Sequence, residues 1–521
     1  MRLRKSVARR AVAPHPRLFS GVSIRAFDVP ATTNSTVKEQ APTISRLLRQ
    51  RAVWVHALVT IGLVLQKAVV AVSVTWCIAF VYSRGDIFRG VPVAQQSYDT
   101  FILALLLWTQ FMYCAIGSVT QAALLRNLHF HARPEVPASI AWCYWRIVRR
   151  SFGFYLIAVA LLLAATWVFS RQSVPLAIRQ YKPELYCCWA ANYVYTVGLG
   201  LVGQHVFKTE TIEGQRRMAS ASSAQDTRLV SSVSVAPTGN TVAPMAPRFG
   251  RGWWRMTVVR APMLLSVTLA AVYVQVLQSF VTVDSAKSVL ALVLCNFFGK
   301  LIIQAAAKRS MLRPSVKHVR TMFLAVVLPT VLMDTQLRVV VQRVNSTQLT
   351  VTGTVVMSLL EMTIRLTKAV MLRRQIRRLE RHRPGQLTQS EARQPSLALA
   401  RRKIKLLAFR SAELYADMSA EYIAMGCSMT IFYFYWDHPK YRLGGTAADG
   451  VSAWSSQQTL VLVLQVAAEI AVDLVACLVE IAHGLTFHAL RQQSVYLATL
   501  SASMAVCNIT VSALVYLRTE L

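Results

Sequence analysis

Glu413, Asp417 and Glu421 stand at i, i+4 and i+8 in one largely apolar stretch, and Glu469, Asp473 and Glu480 at i, i+4 and i+11 in another. Each set falls on a single helix face. With Asp334 and Glu361 they make eight acids in apolar surroundings, of the 23 in the chain. Four cations keep them company: Lys300, Arg338, Arg365 and Lys368, the last two following Glu361 by four and seven residues. Carboxylates so placed do one of two kinds of work. They pair with buried cations and fix helix packing, or they form a protonatable or cation-binding route, as acids within a membrane commonly do. A third reading starts the stretch at 412 later, which leaves Glu413 and Asp417 at an interface and the other six untouched.

Cost and number separate these readings. An acid or lysine at the centre of a bilayer costs about 2.5–3.5 kcal/mol, so five or six facing lipid would cost on the order of 15 kcal/mol. They must therefore face one another or water. The acids outnumber the four cations by eight to four, so full pairing is impossible and the remainder must hold a proton, water or a cation. Asp334, Glu361, Glu421, Glu469 and Asp473 are the expected ion or proton pathway, with Lys300, Arg338, Arg365 and Lys368 as charge partners. At about 1.5 Å per residue, Glu421 and Glu469 come out roughly 14–15 Å from the ends of their segments, near one common level.

The elements that must carry these residues follow from hydropathy. The 521-residue chain is 54% apolar yet has a formal net charge of +34, with a mean hydropathy of +0.41. That pairing fits a membrane protein whose cations are confined to its loops and excludes a disulfide scaffold or a disordered chain. Windows of about 20 apolar residues predict an all-α, polytopic transmembrane bundle of eleven spans, with a range of nine to eleven. They fall at 61–82, 101–125, 152–169, 184–207, 261–281, 286–306, 321–343, 350–371, 412–436, 459–482 and 495–517. The weakest are 321–343, with Pro329, Asp334 and Arg338, and 412–436, which starts with acids.

Charge asymmetry gives an independent test. With a cytoplasmic N-terminus, the inner segments hold 42 of the 57 Lys and Arg, and the outer ones 10, counting Lys287 and Arg343 at the outer edges of their spans. Cations spread over successive loops do not form a groove-binding face, so no nucleic acid is expected. The membrane's lipids are the expected partners. The resulting organisation is a basic cytoplasmic segment over 1–60, four spans over 61–207, a disordered cytoplasmic loop over 208–260, spans over 261–371, an Arg-rich loop over 372–411 and spans over 412–521.

In the Arg-rich loop, Arg373, Arg374, Arg377, Arg378, Arg401, Arg402, Lys403 and Lys405 recur at helical spacing, a pattern that binds anionic or phosphoinositide head groups when it borders a membrane. Residues 1–25 are rich in Arg and free of acid. Pro14 and Pro16 argue against an amphipathic transit helix, so a plasma or endomembrane is expected rather than the mitochondrial inner membrane.

Other motifs carry less. Gly198, Gly200 and Gly203 spell G-x-G-x-x-G inside a span, where close helix packing explains them better than a nucleotide. The nine cysteines show no metal or disulfide spacing, and His129 and His131 alone do not make a metal site. No motif asks for a cofactor or metal, and no nucleophile–base set points to an enzyme. Asn508-Ile509-Thr510 reads as a sequon buried in a span, Asn34-Ser35-Thr36 as a cytosolic one, and Asn345-Ser346-Thr347 as one too close to the membrane for use. Aromatic anchors are expected at 432–436, Trp253, Trp254, Trp142, Tyr144 and Trp145. The expected function is a transporter or channel-like protein with an acidic core that handles a proton or small cation. The alternative is a membrane scaffold or receptor whose ion pairs are structural.

Overall fold

The computed structural model is all-α. It describes residues 51–170, 183–220, 286–311, 319–343, 347–381, 393–441, 451–482 and 493–518, with scattered positions in 257–276 and 484–491 and residue 443. The long helices among these residues are α1 (Arg51–Arg84), α2 (Tyr98–Leu125), α3 (Ile140–Ser170), α4 (Pro183–Glu210) and α5 (Ala286–Met311). They continue as α6 (Val319–Arg343), α7 (Thr347–Arg381), α8 (Arg393–Tyr435), α9 (Val451–Ala482) and α10 (Ser494–Tyr516). A one-turn helix, His488–Arg491, precedes α10. Ten of the eleven predicted spans fall on these helices to within a residue; 261–281 lies largely outside the described residues.

Among the described residues, five helical segments are long and apolar enough to cross a membrane: Arg51–Arg84, Tyr98–Leu125, Ile140–Phe169, Thr459–Ala482 and Ser494–Tyr516. The others are less apolar, and packing gives the reason for two of them. Helix α6 is buried on every side from Val326 to Gln342, and α8 is buried without a break from Ser411 to Met425. These two pack extensively on each other, and α1, α5 and α10 close around them. A helix surrounded by protein can carry polar groups provided its neighbours satisfy them. Gln336 Nε2 donates to Ser512 Oγ at 2.8 Å, and Asn508 Nδ2 to Thr335 Oγ1 at 2.8 Å. Asn508 and Thr510 are thus core residues, as their sequon's predicted burial requires.

Glycine sets the closest approaches. A Cβ at Gly198 would lie 2.3 Å from the Phe154 ring of α3, and one at Gly426 would lie 2.2 Å from Val72 of α1. A Cβ at Gly203 would lie 2.7 Å from Gln121 Oε1, so Gly198 and Gly203 of the triplet are helix-packing surface. Two expected loops are in part helical. Helix α4 runs to Glu210 and residues 212–220 are helical again, while 221–256 fall outside the described residues. Within 372–411, α7 runs on to Arg381 and α8 begins at Arg393. The cationic residues there extend two helices, because the periodicity of the arginines is itself helical.

Candidate functional site

Five helices bring the charges together. Helix α5 carries Lys300; α6 carries Asp334 and Arg338; α7 carries Glu361, Arg365 and Lys368. Helix α8 carries Glu413, Asp417 and Glu421, and α9 carries Glu469, Asp473 and Glu480. All eight acids are buried. They sort into two tiers.

In the first tier, the Lys300 ammonium lies 2.8 Å from Asp334 Oδ2, 3.2 Å from Glu361 Oε1 and 3.6 Å from Glu421 Oε1. Glu361, Glu421 and Glu469 each offer a carboxylate oxygen, and the three oxygens lie within 4.8 Å of one another. Glu469, 3% exposed, makes no ion pair among the described residues, and its Oε1 has no hydrogen-bond partner. Arg338 is buried near Asp334 and Glu469, with an Nε that has no hydrogen-bond partner. Four carboxylates thus share one ammonium, in contact with three of them, and one guanidinium nearby.

In the second tier the charges are largely matched. Arg365 is held between Asp473 and Glu480, with Nε 3.3 Å from Glu480 Oε1 and one guanidinium nitrogen on Asp473. Lys368 lies 3.4 Å from Glu413 and 3.7 Å from Asp417. Asp417 also accepts a 2.9 Å hydrogen bond from Gln304 Nε2, which donates to Thr330 Oγ1 at 3.0 Å as well. Arg410 completes the group on Glu413.

The predicted residues are brought into one buried cluster, but Glu469 and Asp473 fall into different company. Three residues escape sequence reading. Gln304 stands four after Lys300 and Arg410 three before Glu413, both at helical spacing, so periodicity could have found them. Tyr415, whose hydroxyl takes the Lys67 ammonium beneath its ring, carries no such signal. Arg373, Arg374, Arg377 and Arg378 lie on the α7 extension beyond the cluster, and Arg401, Arg402, Lys403 and Lys405 on the first half of α8.

The remaining motifs take ordinary places. All nine cysteines are free. His129 Nδ1 is 3.1 Å from the Pro134 carbonyl, and the backbone around it bonds to the end of α4. The aromatic run ends in a knot: Tyr435 stacks on Tyr441 at 4.1 Å, and His438 Nε2 donates to the Ser83 carbonyl at 2.7 Å. The backbone N–H of Arg518 bonds to the Lys440 carbonyl there, so the segment after α8 is tied to the end of α10.

No family model, curated protein or solved structure matches the chain. Geometry and composition therefore carry the functional reading. They describe a membrane-associated helical protein with a buried acidic and ion-pair cluster in its C-terminal half, an arrangement suited to handling ions.

Proposed function

We propose that the protein is a transporter or channel-like protein of about eleven spans, with a cytoplasmic N-terminus, that moves a proton or small cation through the first tier. The observation that carries this reading is the trio Glu361, Glu421 and Glu469, of which a single ammonium reaches only the first two. Carboxylates this close in a low-dielectric interior cannot all be ionised without compensation. Lys300 compensates for one charge and Arg338 for a second at longer range. What remains must be a proton or a bound cation, and within the trio Glu469 is the residue whose Oε1 has no hydrogen-bond partner. Carboxylate oxygens are hard donors, so a cation held by the trio would be a hard one.

In this mechanism Lys300 is a tethered competitor. When the cation leaves, the ammonium and a proton hold the carboxylates; when it arrives, they yield. Adding a monovalent or divalent cation to lightly buffered, purified protein should therefore release protons, and Glu469→Gln should abolish that release. Equal release from the variant would refute the trio as the exchange site. The plasma membrane or an endomembrane is the proposed host, and the basic ends of α7 and α8 are the proposed contacts with anionic lipid on the cytoplasmic side.

The second reading, a scaffold with structural ion pairs, draws on the second tier, where Arg365 has two carboxylates of its own. It assigns stability to those pairs and leaves the first tier's excess acids without a role.

A further inference from the structure

A second site lies away from the acid cluster, at the start of α1. A recess of about 440 Å³ opens between Arg51, His56 and Arg491, with Ala52, Val55 and Val59 as its wall. It continues into a narrower recess of about 90 Å³ that shares His56, Val59 and Arg491 and ends on Tyr415 and Phe487. Among the described residues, no acid lines either part. The first is of the size that holds a small ligand.

Three features define what would fill it. The rim is cationic: two arginines, whose guanidinium forks match phosphate oxygens, and a histidine whose Nε2 is buried without a hydrogen-bond partner. Beyond the floor, the buried Lys67 ammonium meets the Tyr415 hydroxyl, with no carboxylate paired to it among the described residues. This keeps the recess positive in depth. The wall, in contrast, is apolar and outward-facing. Val55 is 50% exposed and Val59 39%, and they adjoin Trp54 and Leu58 on a face of α1 suited to hydrocarbon. A soluble anion would use the rim and waste the wall; a buried hydrocarbon would leave the rim unpaired.

We infer that this recess binds a phosphate-bearing lipid. Arg491 and Arg51 hold the phosphate oxygens, His56 Nε2 donates a further hydrogen bond, and an acyl chain runs along Val55 and Val59. The site ties the start of α1 to the connection between α9 and α10 through the lipid.

The test uses the full chain in phosphatidylcholine nanodiscs with fluorescent phosphatidic acid as the probe. Losing one charge-assisted hydrogen bond should weaken binding about tenfold, so Arg491→Gln and His56→Gln should each show that loss. Val59→Trp fills the wall without touching charge and should weaken the lipid similarly. Arg89→Gln, an exposed arginine at the other end of the bundle, should bind as the wild type does. Retained affinity in both Arg491→Gln and Val59→Trp would overturn the site. Displacement of the probe by glycerol phosphate at the lipid's own concentration would overturn the lipid and leave a soluble phosphate ester as the ligand.

Discussion

Glu469 and Asp473 are one helical turn apart on α9, yet their substitutions should behave differently. Glu469→Gln removes an acid that makes no ion pair among the described residues, so folding yield and melting temperature should stay near the wild type while cation handling is lost. Asp473→Asn instead takes a partner from buried Arg365. Removing the other side, Arg365→Gln, strands Asp473 and Glu480 together and should destabilise the protein by about 3–5 kcal/mol, the usual cost of breaking a buried pair. Denaturant unfolding in detergent checks this, and a loss near zero would show that the second tier is not held by Arg365. In the segment after α8, burial is the main cause that sets His438 below its ordinary value of 6.5; Lys440 adds to this, and the Ser83 carbonyl opposes it. The folded state then binds fewer protons than the unfolded one, so this contribution is present above about pH 6.5 and is lost as pH falls from there through the lower value of the folded imidazole. Between pH 8 and 5 the melting temperature should fall more steeply for the wild type than for His438→Gln. Parallel curves would contradict it.

The helices were legible where their sequences are apolar, and their pairing was not. Acids at i, i+4 and i+8 showed which face of α8 is polar, because helical period alone decides that. Nothing in the sequence showed that Lys300, on a different helix, would sit among Asp334, Glu361 and Glu421, since tertiary contact depends on which helices become neighbours. Helices α6 and α8 were the doubtful spans for a physical reason: hydropathy measures fitness for lipid, and these two are surrounded by protein. The approach of α8 to α1 is set by Gly426, where any Cβ meets Val72. Gly426→Ala should cost about 1–3 kcal/mol through overpacking, and Val72→Ala should recover most of it. A double mutant no better than Gly426→Ala would show that the contact does not set that distance.

At the scale of the whole molecule, the count of crossings and the acid cluster are one problem. Were only the five most apolar segments to cross, the chain between α3 and α9 would stay on one side, and Glu361 and Glu421 would lie outside the membrane that Glu469 on α9 crosses. Eleven crossings, as proposed, would put the trio within it and would require the connections at 382–392 and 444–450 to lie on opposite sides. Epitopes inserted at 386 and 447 should accordingly be reached by antibody from opposite faces of sealed vesicles, the first from the side of the N-terminus. Labelling of both from one face would reduce the bundle to fewer crossings. The most direct test of the cluster's role is flux: proton and monovalent-cation movement in proteoliposomes holding equal amounts of wild type or Glu469→Gln. Flux in the wild type that disappears in the variant, at an unchanged melting temperature, is the expected result. No flux in either protein, with a variant that melts lower, would contradict it and make the acids structural.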